Sequence, residues 1–442
     1  MDIKAALAFL DAHTNLEGAV KGRTAALPIA GKTEGLGLDA ITELVDLCGQ
    51  PQHAYRCIHI TGTNGKGSAS RYASAILTET GLSVGTFTSP NIERINERLT
   101  YNGLSIRDAE FAAVLTFLAD VEPLMSRPPG RWDLLVAAAL VWFAEKGVDV
   151  AVIEVGMLGR YDSTNIVHGD VALITNIGKD HTDGAEGWRS RIAEEKAGII
   201  EPDSHVILGT GLDDVREIID REPRRDLWVA GEDFVVESNL AAFGGRMIDL
   251  RTPGAFYEQL HVPFHGRHQG DNLANAVAVV EAFFGRPVEQ EIIEAAVEQV
   301  ELPARFEVIS RDPTVILDGA HNPDGARAAK ATLDSEFARL GSWVLVVGML
   351  VGKDPVEMLE ALGVADFDAV IVTQPNWSRA MPAAEVAAAA ASLGVTVEVV
   401  PDAVSALHRA KSVTTGDDLI LVTGSLYVVG EVRPAARSVI TD

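Results

Sequence analysis

The sequence predicts an α/β fold: a P-loop-type domain on a parallel sheet, followed by a smaller, Rossmann-like α/β domain. Three observations predict it. Short apolar runs bounded by Gly or Asp alternate with helical patterns along most of the chain, as in a parallel sheet covered on both faces. A glycine loop, Thr61-Gly-Thr-Asn-Gly-Lys-Gly-Ser68, follows the first β-rich run and opens a helix. The pattern breaks at Glu301-Leu-Pro-Ala-Arg305 and then restarts, which divides the chain into domains 1–300 and 301–442. A length of 442 residues allows two or three domains at roughly 150 residues each.

The elements follow in order. Residues 1–50 read as helices, and Ile41, Leu44 and Leu47 fall near helical spacing in an amphipathic helix over Leu38–Cys48. Tyr55–Thr61 is β-rich, residues 67–79 form the helix after the glycine loop, and Ser83–Phe87 is the next strand. Leu134–Lys146 suits a buried helix, Val148–Val155 a buried strand, and 171–177 and 205–208 two further strands. The stretch 227–262, rich in β-formers and Gly, predicts antiparallel strands at the edge of this domain. Helices at 271–284 and 289–299 complete the first domain. In the second, strands are expected at 314–317, 343–347, 369–373, 395–400 and 419–422, with helices between them.

Composition narrows the function. The formal charge is −26, with the acids spread along the chain, so neither nucleic acid nor an anionic membrane surface is a suitable partner. Cys48 and Cys57 form no CxxC and read as small hydrophobes in a reducing compartment. Met1–Leu16 shows no basic segment followed by an apolar one, and the longest apolar run, Leu134–Ala144, is eleven residues, too short to span a bilayer. These features predict a cytoplasmic enzyme, taken to be a monomer.

The glycine loop carries the strongest chemical signal. Glycines at 62, 65 and 67 let backbone N–H groups approach a phosphate, the helix N-terminus favours an anion, and Lys66 adds a point charge. Ser68 can place a hydroxyl on Mg²⁺, although it stands two residues after the lysine where the usual P-loop has it next. Glu154 ends the apolar strand Val150–Val155, where open α/β sheets bind ligands; there it is either a metal ligand or a capping acid. His181 follows the strand 171–177 in Gly178-Lys-Asp-His181. By composition Lys196 lies on a solvated helix face, in Ala193-Glu-Glu-Lys-Ala-Gly198. Asp318 suits a helix N-cap before Pro323.

With Thr88-Ser-Pro90, Asn96-Glu-Arg98, Glu154-Val-Gly156, Gly159-Arg-Tyr-Asp-Ser-Thr-Asn165, Asp180-His181, Glu195-Lys-Ala-Gly198, Gly266-Arg-His-Gln269, Asp318-Gly-Ala-His-Asn-Pro323 and Gly424-Ser-Leu-Tyr427, the glycine loop forms an ordered series over about residues 38–430. The series resembles the folylpolyglutamate and dihydrofolate synthases of the Mur ligase superfamily. The resemblance implies an ATP-dependent carboxylate–amine ligase that joins L-glutamate to dihydropteroate or to a folate glutamate tail. It implies ATP held by Thr63, Asn64, Gly65, Lys66, Gly67 and Ser68, with Asn272 at the adenine, Arg305 at the phosphates and Asp318 at the ribose. It implies two Mg²⁺ ions on Ser68, Ser89, Glu154 and His181, catalytic roles for Lys66, Lys196, His181 and His321, and a carbamylated Lys196. It places the folate-type substrate near Trp132, Asp133, Tyr161, Asp162 and Ser163. The chain departs from the family's pattern at Asn91, at Asp133 and in Gly156-Met-Leu-Gly159, all on the pterin side. The alternative expectation is therefore a Mur-type paralogue acting on another carboxylate and amine.

Overall fold

The computed structural model describes residues 1–14, 37–180, 182 and 184–437. The chain divides into two compact units. The first comprises Met1–Leu240, Met247–Val262 and Gln269–Glu301; the second comprises Ala241–Arg246, Pro263–His268 and Leu302–Asp442.

The first unit is built on eight strands: β1 (Arg56–Thr61), β2 (Val84–Phe87), β3 (Leu99–Tyr101), β4 (Leu104–Ser105), β5 (Val150–Glu154), β6 (Val171–Ile174), β7 (His205–Leu208) and β8 (Asp226–Val229). They lie in the order β4-β3-β2-β5-β1-β6-β7-β8, parallel from β2 to β8, with β3 and β4 antiparallel at one edge. β2, β5 and β6 are buried along their whole length, as in a sheet covered on both faces, and β5 and β6 have the apolar runs that such burial requires. The register sets the functional edge. Ile60 pairs with Glu154 and Thr61 with Ile174, so the loops after β1, β5 and β6 leave the sheet side by side.

On one face of the sheet, the helix Arg131–Lys146 buries every residue from Leu134 to Phe143. The helices Ile3–Asp11, Asp39–Leu47 and Asp108–Val121 join the same core. Each large apolar side chain removed from water there contributes about 1.5–3 kcal/mol. The helix closes at Gly147, whose φ of 63° provides the left-handed terminus. Of the N-terminal helical stretch, residues 15–36 lie outside the described residues.

The stretch 227–262 differs from the expected antiparallel edge. β8 pairs parallel with β7 and extends the main sheet. β9 (Val235–Ala242), β10 (Gly245–Arg251) and β11 (Phe256–Val262) form a separate three-stranded sheet. The reason lies in the pattern. β11 alternates buried and exposed positions, which suits a sheet wet on one face and not a strand buried on both.

The second unit has six strands: β12 (Glu307–Arg311), β13 (Thr314–Leu317), β14 (Trp343–Val347), β15 (Ala369–Gln374), β16 (Glu398–Asp402) and β17 (Leu419–Thr423). Their order is β12-β13-β17-β14-β15-β16, parallel except for β12 at the edge. β16 begins at Glu398, beyond the expected start at Val395, because Val395 and Val397 pack against the core as a link after Gly394 and the ladder forms only from Ile371 opposite Glu398. β12 has no counterpart in the sequence reading; its polar residues Glu307, Ser310 and Arg311 hide a partly exposed edge strand. Glu336, at the end of the helix Pro323–Glu336, pairs with Arg246 at 2.7 Å and with His265 at 2.9 Å, holding both short outlying segments to this unit. Among the described residues, no helix is long and apolar enough to cross a membrane.

Candidate active site

The glycine loop links β1 to the helix Lys66–Glu79, with Gly65 at its N-cap in the left-handed region, φ 83°. Its shape is set by the segment after β6. Asn176 Oδ1 accepts the Asn64 N–H at 2.9 Å while Asn176 Nδ2 donates to the Asn64 carbonyl at 3.0 Å. The Thr175 hydroxyl donates to the same carbonyl at 2.7 Å, and the Thr63 hydroxyl accepts the Gly178 N–H at 2.9 Å. Gly62 and Gly65 are required by close approach as well as by backbone angle. A Cβ on Gly62 would lie 1.8 Å from Thr175 Oγ1, and one on Gly65 2.3 Å from Asn272 Oδ1. Asn272 is thereby placed against the loop, steadied by Gln269 at 3.1 Å.

Two lysines meet on one carbonyl. Lys66 Nζ donates to the Gly62 oxygen at 3.1 Å and Lys196 Nζ donates to it at 2.7 Å. The expectation of a solvated face for Lys196 is corrected, since its side chain is buried. The helix Trp188–Ala197 packs Ile192, Ala193 and Ala197 into the core on that side of the sheet and carries the lysine inward with them. Burial drives the Lys196 amine well below its ordinary range, and the positive charge of Lys66 lowers it further, against Asp180, Asp162 and Glu195.

Glu154 is buried at the end of β5 and accepts the Ser89 N–H at 2.9 Å. A Cβ on Gly67 would stand 3.3 Å from its Oε2, which puts the carboxylate beside the first turn of the loop helix. Ser68 is buried in that turn. Ser68, Ser89 and Glu154 offer only oxygen donors, a chemistry that fits Mg²⁺ shared with phosphate. His181, expected as a further ligand, lies outside the described residues.

Of the residues assigned to the folate-type substrate, Asp133 is bonded to Ser163 and Asp162 to Trp132. Asp133 accepts the Gly130 N–H at 2.8 Å, capping the helix Arg131–Lys146, and accepts the Ser163 hydroxyl at 2.6 Å. Asp162 accepts from the Met157 and Thr164 N–H groups, both at 3.0 Å, from the Thr164 hydroxyl at 2.6 Å and from the Trp132 indole at 3.4 Å. Burial raises the Asp162 carboxyl, and these donors oppose the rise. The Trp132 ring covers Gly156, where a Cβ would meet it at 2.4 Å, and stands 5.4 Å from Phe87. Tyr161 is exposed. Asn91 accepts from the buried Arg98 at 2.8 Å, and the Arg98 guanidinium lies 5.8 Å from the Trp132 ring.

In the second unit, Asp318 leaves β13 and accepts the Phe306 and Ala320 N–H groups at 3.0 and 2.9 Å. The reading of Asp318 as an N-cap is corrected. Asn322 caps the helix Pro323–Glu336, accepting the Gly325 N–H at 2.9 Å, because it immediately precedes the proline at the first helical position. Arg305 lies against Gly319, and His321 Nδ1 is 2.9 Å from the Gly319 carbonyl. Sequence reasoning missed Thr175, Asn176 and His59. A Thr-Asn pair after a strand carries no signal of its own until β6 is known to lie beside β1.

Comparison with known proteins adds to this geometry. The Mur ligase middle domain matches residues 133–280, and the Mur ligase glutamate ligase domain matches 304–426. The dihydrofolate synthase/folylpolyglutamate synthase of Mycobacterium tuberculosis is 38% identical over 377 residues, covering 80% of this chain and 77% of that one. The solved folylpolyglutamate synthase of the same organism, complexed with ADP, aligns with a TM-score of 0.89 at 33% identity over 98% of this chain and 99% of that one. A bifunctional folylpolyglutamate synthase/dihydrofolate synthase solved with Mn, AMPPNP and L-glutamate bound gives a TM-score of 0.84 at 26% identity over 98% of each chain.

Proposed function

Because the chain belongs to the dihydrofolate synthase/folylpolyglutamate synthase family, we propose that the loop Gly62–Ser68 grips the ATP triphosphate while the network around Trp132 and Asp162 receives the folate-type substrate. The chain is an ATP-dependent ligase that joins a folate-type carboxylate to L-glutamate. The observation that carries the site assignment is the convergence of Lys66 and Lys196 on the Gly62 carbonyl, with Glu154 against Gly67 in the first turn of the helix that follows.

The chemistry follows from charge. A carboxylate oxygen attacks the γ-phosphorus, a new O–P bond forms, and the bond to ADP breaks. The glutamate nitrogen then attacks the acyl carbon, the C–N bond forms, inorganic phosphate leaves, and the nitrogen gives up a proton. The first step needs the γ-phosphoryl charge neutralised and the two oxygens aligned. Loop N–H groups and Lys66 provide positive potential there. Ser68, Ser89 and Glu154 would hold Mg²⁺, which would supply positive charge to the phosphate oxygens. The depressed amine of Lys196 suits carbamylation: the neutral nitrogen attacks CO₂, an N–C bond forms, and a proton leaves to water. The product is an anion whose remaining N–H keeps the Gly62 carbonyl as its partner. Asn272 is assigned to the adenine; in the second unit, Arg305, Asp318 and His321 are assigned to phosphate, ribose and catalysis.

The departures from the family's pattern support a folate-type substrate as readily as another. Asp133 serves as a helix cap tied to Ser163, and Asn91 serves as the acceptor for Arg98, so both have work inside the fold. Purified protein with ATP and Mg²⁺ is expected to release ADP only when both tetrahydrofolate or dihydropteroate and L-glutamate are present. Release that needs only a different carboxylate or amine overturns the substrate assignment.

A further inference from the structure

β1 carries a side chain that the phosphate loop does not use. His59 is fully buried, and its Nε2 lies 3.0 Å from the Thr164 hydroxyl. That hydroxyl also stands 2.6 Å from Asp162 Oδ1. A carboxylate only accepts, so the Thr164 proton points at Asp162 and the Thr164 oxygen accepts from His59. The ring is thereby the Nε2–H tautomer. Its Nδ1 has no partner among the described residues. Burial pushes the ring down to about 3, so it stays neutral at physiological pH. An idle ring nitrogen in a dry interior costs stability; Thr61, buried on the same face of β1, has its hydroxyl bonded to the Leu158 carbonyl at 2.8 Å. The cost needs a return elsewhere, and the chain of hydrogen bonds leads to Asp162.

Asp162 ties three elements together. Its donors come from the loop after β5 through Met157, from the turn Ser163–Ile166 through Thr164, and from the helix Arg131–Lys146 through Trp132. Thr164 supplies two of them, and His59 locks its hydroxyl in the donating pose. The same loop is fixed to the Lys196 helix where the Arg160 N–H bonds the Glu195 carbonyl at 2.8 Å.

We propose that His59 is a positioning residue for the folate-type substrate, acting through Thr164 and Asp162 on the Trp132 indole and the 156–160 loop. The inference rests on the assignment of Trp132 and Asp162 to the substrate side. It predicts an effect on one substrate and not on the other two.

The test compares His59→Leu, which fills the space without a donor, with His59→Gln, whose amide N–H can stand where Nε2–H does. For His59→Leu the KM for tetrahydrofolate should rise about ten-fold, the worth of one well-placed buried hydrogen bond, with KM for ATP and for glutamate changed less than about two-fold. His59→Gln should recover most of the loss. An unchanged tetrahydrofolate KM in His59→Leu, a parallel rise for ATP, or a Gln variant no better than Leu overturns the inference. Should His59→Leu fail to fold, Thr164→Val against Thr164→Ser makes the same comparison through the hydroxyl. Independently, nitrogen NMR of the wild-type protein should show a pH-invariant Nε2–H ring for His59, and the other tautomer overturns the chain of donors. Wild-type protein that ignores folates sinks the substrate assignment, whereas wild-type turnover with unaltered His59 variants sinks the present inference alone.

Discussion

Replacing Gly62 with Ala tests how the phosphate loop is held. Gly62 has φ 149°, a conformation that costs an L residue about 1–3 kcal/mol. Its new methyl would lie 1.8 Å from Thr175 Oγ1, 3.0 Å from Thr175 Cβ and 3.2 Å from Thr175 N. The hydroxyl can rotate away, but then its 2.7 Å bond to the Asn64 carbonyl is lost, at about 1 kcal/mol. The Cβ and backbone nitrogen cannot rotate, so the loop must also shift. The sum is about 3 kcal/mol, or about 100-fold in an equilibrium constant. It falls on the carbonyl that receives Lys66 and Lys196, so the loss should appear in ATP affinity, with tetrahydrofolate affinity nearly unchanged. Titration with a non-hydrolysable ATP analogue measures it directly. Thr175→Ala alone should cost about 1 kcal/mol, and the same change in the Gly62→Ala background almost nothing, a coupling that a double-mutant cycle resolves. Analogue affinity within about three-fold of wild type in Gly62→Ala, or fully additive costs, would refute the reasoning.

Two further outcomes are expected. Removing dissolved CO₂ should slow ADP release by the wild-type enzyme and bicarbonate should restore it; a rate indifferent to bicarbonate removes the carbamate from Lys196. Glu110 bonds Arg107 at 3.1 Å and Lys146 at 2.6 Å, and Arg107 first and Lys146 second hold its carboxyl down at about 2. A depressed carboxyl stabilises the fold above its unfolded value and loses that contribution as pH falls toward its folded value. Glu110→Gln should therefore lower unfolding free energy by about 0.5–1 kcal/mol at neutral pH, with the difference vanishing near pH 2, as followed by urea titration at several pH values.

The parts of the site that lie next to each other in the chain were legible. Gly62, Gly65, Lys66 and Ser68 stand in order between a β-rich run and a helix, and that order alone places backbone N–H groups and a cation at a helix N-terminus. Glu154 was legible as a strand end because Val150–Ile153 precede it. The stretch 227–262 was readable as β from its β-formers, yet not which sheet each strand joins. Lys196 misled because its helix is polar in composition. What buries it is the packing of Ile192 and Ala193, which composition does not weigh by direction.

Local order thus determined the elements, the phosphate loop and the doubly wound class, since propensity and hydrophobic period act over a few residues. Only the tertiary structure decided which residues meet. Asn176 clamps Asn64, Lys196 reaches Gly62, and His59 orients Thr164 across more than 100 positions of chain. Those pairings depend on β6 and β5 flanking β1. Strand neighbours are chosen by how the buried faces of the whole sheet pack together, a long-range free energy that no short window of sequence contains.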